Sequence, residues 1–290
     1  MKFAETERKM NNTQGSTEKK ILILGGTGKT GSRVAHRLTQ RNWPIRIGSR
    51  SGEPAFDWLD QATWESALQD IHTVYITFQP DLAVPGAAES IRSFTETAVK
   101  SGTQKLVLLS GRGEEEAEEC EQVVMNSEAE WTILRASWFC QNFSEGYLLD
   151  PILGGYMALP VRNIGEPFID ADDIADVAVT VLTEAGHTNQ LYELTGPRLL
   201  TFEEAIREIA TATGQPIQYE QISDEAYVAA LTEYGVPNEY ITLLTYLFSE
   251  VMDGRNATVA NGVEQVLGRK PTDFAEFIHK TVASGIWATH

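Results

Sequence analysis

Apolar residues first gather at Ile21-Leu22-Ile23-Leu24, a run with no polar member, which predicts a strand buried on both faces of a parallel sheet. The period then changes: Val34, Ala35 and Leu38 share one face of a helix. The same exchange continues down the chain. Strands are predicted at 44–48, 73–78, 105–109 and 131–135, with helices at 87–100 and 114–125 between them. This βαβα order predicts an α/β fold, a doubly wound parallel (Rossmann) sheet with helices on both faces. Strand signals fade after residue 198. Thr201-Phe202-Glu203-Glu204 reads as a capping box, and further helices are predicted near Pro237 and over 273–284. That stretch predicts a smaller, mostly helical C-terminal lobe.

Between the first strand and the first helix stands Gly25-Gly26-Thr27-Gly28-Lys29-Thr30-Gly31. Gly28-Lys29-Thr30 matches the end of a triphosphate-binding loop, G-x-x-x-x-G-K-[ST], but the first glycine of that pattern falls on Ile23, inside the strand. Gly26, Gly28 and Gly31 fit G-x-G-x-x-G instead, with a strand before and a helix after. Such a loop brings backbone N–H groups to a pyrophosphate at a helix N-terminus, and Gly31 lets helix and strand pack closely.

The second strand ends in Ser49-Arg50-Ser51, where an NAD-type site would hold an acid for the ribose hydroxyls. Arg50 with Ser51 suits a 2′-phosphate, so the expected cofactor is NADP(H). Ligands of open parallel sheets collect at the carboxyl ends of the strands. That rule nominates Gly25–Gly31, Ser49–Ser51, Phe78 and Gln79, Ser110–Arg112, and Ala136–Asn142 as one site. The expected division is 21–144 plus 167–197 for the dinucleotide domain and 145–166 plus 198–290 for the substrate lobe. Residues 1–20, polar and without the apolar run of a secretory signal, read as a disordered leader.

Composition narrows the function classes. A formal charge of -18 disfavours sequence-independent nucleic-acid binding, which needs a basic face. No run approaches the roughly 18 consecutive apolar residues of a membrane span. Cys120 and Cys140 form no disulfide framework or zinc pattern, and the five histidines show no metal spacing, so a reduced, cytoplasmic setting without a metal is expected. The expected partner is a small-molecule substrate; the oligomeric state stays open.

The glycine loop, Arg50, "WTILRASWFCQNF" (131–143), "PFIDADDIADVAV" (167–179) and "LYELTGP" (191–197) resemble the NmrA-like, atypical short-chain dehydrogenase/reductase family. "GGTGKTGSRVA", "IGSRS" and "SWFCQNFSEG" are most similar to its ergot-alkaloid festuclavine/agroclavine dehydrogenase branch and the bacterial relatives of that branch. The resemblance implies that Thr27, Gly28, Lys29 and Thr30 contact the pyrophosphate, largely through backbone. It puts Arg50 on the 2′-phosphate, Asp57 near the adenine, and Phe78 and Gln79 beside the ribose. Ala136, Ser137, Trp138 and Phe139 would line the nicotinamide side, with Asn142 in the substrate pocket. Asp172 and Asp173 are expected to be structural, as a loop-to-helix cap.

One departure bears on chemistry. Typical short-chain dehydrogenases use Tyr-x-x-x-Lys as proton donor, and none of the nine tyrosines here is followed by Lys at that spacing. Ser110 and Tyr147 are candidate replacements, neither with a visible neighbouring base. The acidic run Glu114–Glu121 is either a solvated helix face or a source of one or two carboxylates that attract a cationic substrate. Trp138 and Phe139 divide likewise between core packing and a stacking wall. The expected activity is NADPH-dependent hydride transfer to a small electron-poor acceptor, a cyclic imine or iminium or a quinone. The alternative is a non-catalytic NADP(H)-binding redox sensor acting through a protein partner.

Overall fold

The computed structural model describes residues 19–288. Six strands form one all-parallel sheet: β1 (Ile21–Leu24), β2 (Ile45–Gly48), β3 (Thr73–Ile76), β4 (Lys105–Gly111), β5 (Glu130–Ala136) and β7 (Gln190–Leu194). Their spatial order is β2-β1-β3-β4-β5-β7. The first four residues show why both faces are covered. Leu22 and Leu24 point into a core with Val74, Ile76, Leu106 and Leu108, closed by α3 (Ala87–Lys100) and α4 (Glu115–Met125). Ile21 and Ile23 point the other way, toward Tyr75, Val107 and Leu134 beneath α1 (Lys29–Gln40) and α6 (Ala171–Thr183). Side chains alternate along a strand, so an unbroken apolar run needs two cores, and it has them.

A short helix, α2 (Trp64–Leu68), adds Trp64 to the first core. A third core lies beyond the carboxyl edge of the sheet. There Phe143, Phe168 and Phe202 meet Phe248, Phe274 and Phe277. It is built from α5 (Leu149–Leu153), α7 (Phe202–Thr213), α8 (Asp224–Glu233), α9 (Asn238–Tyr246) and α11 (Phe274–Ser284), with α10 (Gly262–Leu267) placed apart on the sheet side, where Val263 joins the core under α6. Thr201 opens α7 with the expected capping box.

The helical region also carries a second, two-stranded parallel sheet, β6 (Tyr156–Leu159) with β8 (Gln218–Gln221), which the fading strand signals did not foretell. Of the leader, residues 1–18 lie outside the described residues, as does His290. Lys20 is tied in, its carbonyl accepting from the His72 amide at 3.0 Å. Among the described residues no helix is long and apolar enough to cross a membrane.

Candidate active site

Strand order reverses where β2 and β3 flank β1, and there the glycine loop leaves the sheet. The Gly28 amide donates to the Gly25 carbonyl at 2.8 Å, closing a tight turn into α1. Gly31 makes the close approach possible: a Cβ there would stand 2.2 Å from the Gly25 carbonyl oxygen. No side chain caps α1 and no acid lies in its first turn. Its first N–H groups are therefore available to an anion, with the positive end of the helix dipole behind them. A dinucleotide pyrophosphate fits this cradle.

A cleft of about 1280 Å³ runs from this loop along the carboxyl ends of β3, β4 and β5 to the helical region. It gathers Gly25, Gly28, Lys29 and Thr30 from the loop, Phe78 and Gln79 after β3, and Ser110 on β4. Ala136, Ser137, Trp138, Phe139 and Asn142 after β5 face it too, as does Tyr147. The strand-end rule thus brings most of the expected residues together. Thr27 is exposed at the turn and Gly31 lies buried behind it, and neither faces the cleft.

Arg50 and Ser51 are exposed after β2, outside the cleft proper but next to the loop, since Leu24 pairs with Gly48 across the β1–β2 ladder. Asp57 is turned onto its own loop, where its Oδ1 accepts from the Leu59 amide at 3.0 Å.

Lys29 reaches across the cleft, its Nζ donating to Asn142 Oδ1 at 3.0 Å. Burial lowers its pKa, against the opposing charge of Glu145. Trp138 serves both expected roles: it lines the cleft while packing on Phe248, ring centroids 4.9 Å apart, and edge-on to Phe202 at 5.5 Å. Behind it Glu166 is buried, its Oε1 accepting from the Trp138 amide at 3.3 Å. Burial pushes the Glu166 carboxyl up to about 7.

Two expectations need correction, on Ser110 and on the cap of α6, and the acidic run divides between its two readings. Ser110 does have a neighbouring base: its Oγ donates to Glu121 Oε1 at 2.6 Å. Glu121 is wholly buried and receives both Nε and Nη2 of Arg135. Ser110 is therefore a fixed strut between β4 and α4, with its proton committed. The acidic run is not simply solvated either. Glu115, Glu118 and Glu119 are exposed, but Glu121 is in the core and Glu114 faces the cleft. The cap of α6 is also shifted: Asp170 accepts from the Asp172 amide at 2.9 Å. Asp172 pairs with Arg37 at 2.7 Å, and Asp173 holds Thr272 and Arg269, so both are structural without capping.

Sequence reasoning missed Asp81, which lies two residues beyond Gln79 and lines the cleft near Glu114; following the end of β3 a turn further would have found it. Arg112 stands in the nominated Ser110–Arg112 stretch, but its structural part was not foreseen. It is buried, donates to the carbonyls of Asn256 and Thr258 at 2.9 and 2.8 Å, and receives Asn256 Nδ2 on its own carbonyl, stapling the helical region to the end of β4.

Comparison with known proteins bears on what such a cleft does. No model of a known protein family matches the chain. It is 28% identical over 286 residues to prestalk A differentiation protein A of Dictyostelium discoideum, covering 93% of this chain and 94% of that one. It is 30% identical over 280 residues to festuclavine synthase II of Penicillium roqueforti, covering 88% of this chain and 96% of that one. Its fold superimposes with a TM-score of 0.77 on an NADPH-dependent quinone oxidoreductase of Escherichia coli solved with NADPH, at 22% identity, covering 90% of this chain and 99% of that one.

Proposed function

The chain belongs to the NmrA-like, atypical short-chain dehydrogenase/reductase family that includes the festuclavine synthases, and we propose that it reduces a small electron-poor acceptor, a cyclic imine or iminium or a quinone, with NADPH. As an NAD(P)-dependent oxidoreductase it turns its cofactor over, which sets aside the alternative of a non-catalytic sensor. One observation carries the reading. The cleft is continuous from the glycine loop to the aromatic wall, and its volume of about 1280 Å³ exceeds the roughly 300–1,000 Å³ of a typical single-ligand site. There is room for an acceptor beside the dinucleotide.

In this proposal 21–144 with 167–197 hold the cofactor, and 145–166 with 198–290 close over the acceptor. The backbone of Thr27–Thr30 and the α1 N-terminus take the pyrophosphate, Arg50 and Ser51 the 2′-phosphate, and Phe78 and Gln79 the ribose. Asp57 borders the adenine, and Gly25 and Gly31 shape the loop. Ala136 and Ser137 seat the nicotinamide, which when bound supplies a hydride. Trp138, Phe139 and Asn142 orient the acceptor against it, and Lys29 holds Asn142 in place. Tyr-x-x-x-Lys has no counterpart, and the Ser110 proton is engaged by Glu121, so the acceptor is one whose reacting carbon is already electron-poor.

The test is NADPH absorbance in the presence of cyclic imines, their iminium salts and quinones, with NADH as control. Turnover of one of these classes, faster with NADPH, is expected. Tight NADPH binding with no turnover on any of them would refute the acceptor assignment, and equal use of NADH would refute the role of Arg50.

A further inference from the structure

Two carboxyl groups that follow neighbouring strands lie within hydrogen-bonding reach of each other at the cleft. Asp81 follows β3 and Glu114 follows β4, and both line the same cavity. We propose that Asp81 and Glu114 form one pair that holds a single proton, on Glu114, and that this pair protonates the nitrogen of a neutral imine acceptor as it is reduced. The inference rests on the function proposed above, which supplies the hydride.

The geometry gives the two carboxyls different roles. Asp81 is an acceptor: its Oδ1 takes the Ala83 amide at 2.9 Å, and it also accepts from the Leu82 backbone. Burial raises the Asp81 carboxyl above its ordinary value, and those donors oppose it by favouring the ionised form. Glu114 is 8% exposed, and its buried Oε2 receives no hydrogen bond from any N–H or hydroxyl among the described residues. A carboxylate in that position would be left unsatisfied, so Glu114 keeps its proton and donates it to Asp81.

The Glu114 seat is made by a missing side chain. A Cβ on Gly111, at the end of β4, would lie 2.1 Å from Glu114 Oε1. The carboxyl therefore rests directly on the strand end, in ladder with Ala136 of β5, on the nicotinamide side of the cleft.

Among the described residues no cation pairs with either carboxyl. Arg112, two residues away, is turned to Asn256, Thr258 and Glu193. The other groups around Glu114 are Glu116, which accepts from Tyr246 Oη at 2.8 Å, and Glu121, which is held by Arg135. Tyr147, exposed at the cleft wall, adds only a neutral phenol. Burial and the adjacent negative charges accordingly hold the Glu114 carboxyl well above the ordinary carboxylate range. That direction favours the protonated carboxyl, the form a general acid needs.

The step balances. The imine carbon takes up a hydride, with its two electrons, from the dihydronicotinamide. The C=N π pair moves onto nitrogen, the Glu114 O–H bond breaks and an N–H bond forms. The cofactor is oxidised, the imine is reduced to an amine, and water entering the cleft reprotonates Glu114. An N-alkyl iminium needs no such proton, because its nitrogen pair ends as the lone pair of a tertiary amine.

The experiment uses Glu114→Gln and Asp81→Asn in the full chain. Glu114→Gln is expected to lower kcat on a neutral cyclic imine by about 10²–10⁴-fold and to leave turnover of the N-methyl iminium within about threefold. Independently of turnover, the infrared spectrum at pH 7 should contain a protonated-carboxyl stretch that Glu114→Gln abolishes and Asp81→Asn shifts. Absence of that band overturns the pair, as does equal loss on imine and iminium. Failure of NADPH to bind, by calorimetry, would instead overturn the reductase reading.

Discussion

Arg135→Met should be among the most damaging single changes outside the glycine loop. Glu121 has no exposed surface, and the Arg135 side chain is 18% exposed. Arg135 donates to both oxygens of Glu121, with Nε at 2.9 Å, and the Ser110 hydroxyl completes the set at 2.6 Å. Its contacts to Glu118 and Glu193, each 3.6 Å away, reach solvent and add little. Removing the guanidinium strands a buried carboxylate, which typically costs about 3–5 kcal/mol. Glu121→Gln keeps an acceptor for Ser110 and should cost about 1–2 kcal/mol.

The informative variant is the double change Glu121→Leu with Arg135→Met. It removes both charges, leaves only the Ser110 hydroxyl short of a partner, and should fall within about 1–3 kcal/mol of the parent chain. Urea unfolding at pH 7 measures all of these and Glu121→Leu alone, and the double-mutant cycle of Glu121→Leu with Arg135→Met isolates the coupling, expected to be at least about 2 kcal/mol. A loss below about 1 kcal/mol for Arg135→Met, or strict additivity, would refute the assignment of this triad as a buried strut.

Arg50→Ala should weaken NADPH by roughly 10- to 150-fold, the worth of about 1.5–3 kcal/mol for a charge-assisted phosphate contact, while NADH titrations stay level. Gly31→Val should abolish dinucleotide binding by calorimetry, because its Cβ would begin 2.2 Å from the Gly25 carbonyl oxygen; retained affinity would mean the loop is not the cradle. Trp138→Ala should reduce kcat more than Tyr147→Phe, since the indole braces the wall through Phe202 and Phe248 whereas the Tyr147 hydroxyl donates to no described partner; the reverse order would make Tyr147 the acid. Glu166 gives a pH signature. Its folded pKa of about 7 lies above the ordinary glutamate value of 4.5, so the folded state binds the extra proton and stability falls as pH rises from about 4.5 to about 7. Glu166→Gln should remove a penalty of up to about 3 kcal/mol at pH 8 and none at pH 4; equal effects at both would refute the shift.

Much of this was legible in the sequence because period and burial coincide. The run at 21–24 has no polar position, and each of its residues is buried. The predicted helix over 87–100 occupies Ala87–Lys100. The glycine loop was recognisable because its geometry forbids most other residues. β8 was not: it is four residues long, Gln-Tyr-Glu-Gln, and mostly exposed, so no alternation marks it. Glu121 was readable in principle, since it shares a face with Ala117, Cys120 and Val124, all buried. The run of glutamates masked that stripe, and the compensating Arg135 comes from another element. Asp81 and Glu114 come together only in the fold, where the segment after β3 runs beside the end of the longer β4.

The space above Gly111 has a consequence for how the sequence can drift. It is filled by the carboxyl of residue 114, and a Cβ at 111 would begin 2.1 Å from that carboxyl. The carboxyl is the far end of a flexible side chain, so a side chain at 111 would turn it out of its seat rather than forbid glutamate at 114. The two positions therefore do not vary as independent letters: the meaning of glutamate at 114 depends on glycine at 111, and a chain that gains alanine at 111 can keep the glutamate while losing the place it occupied.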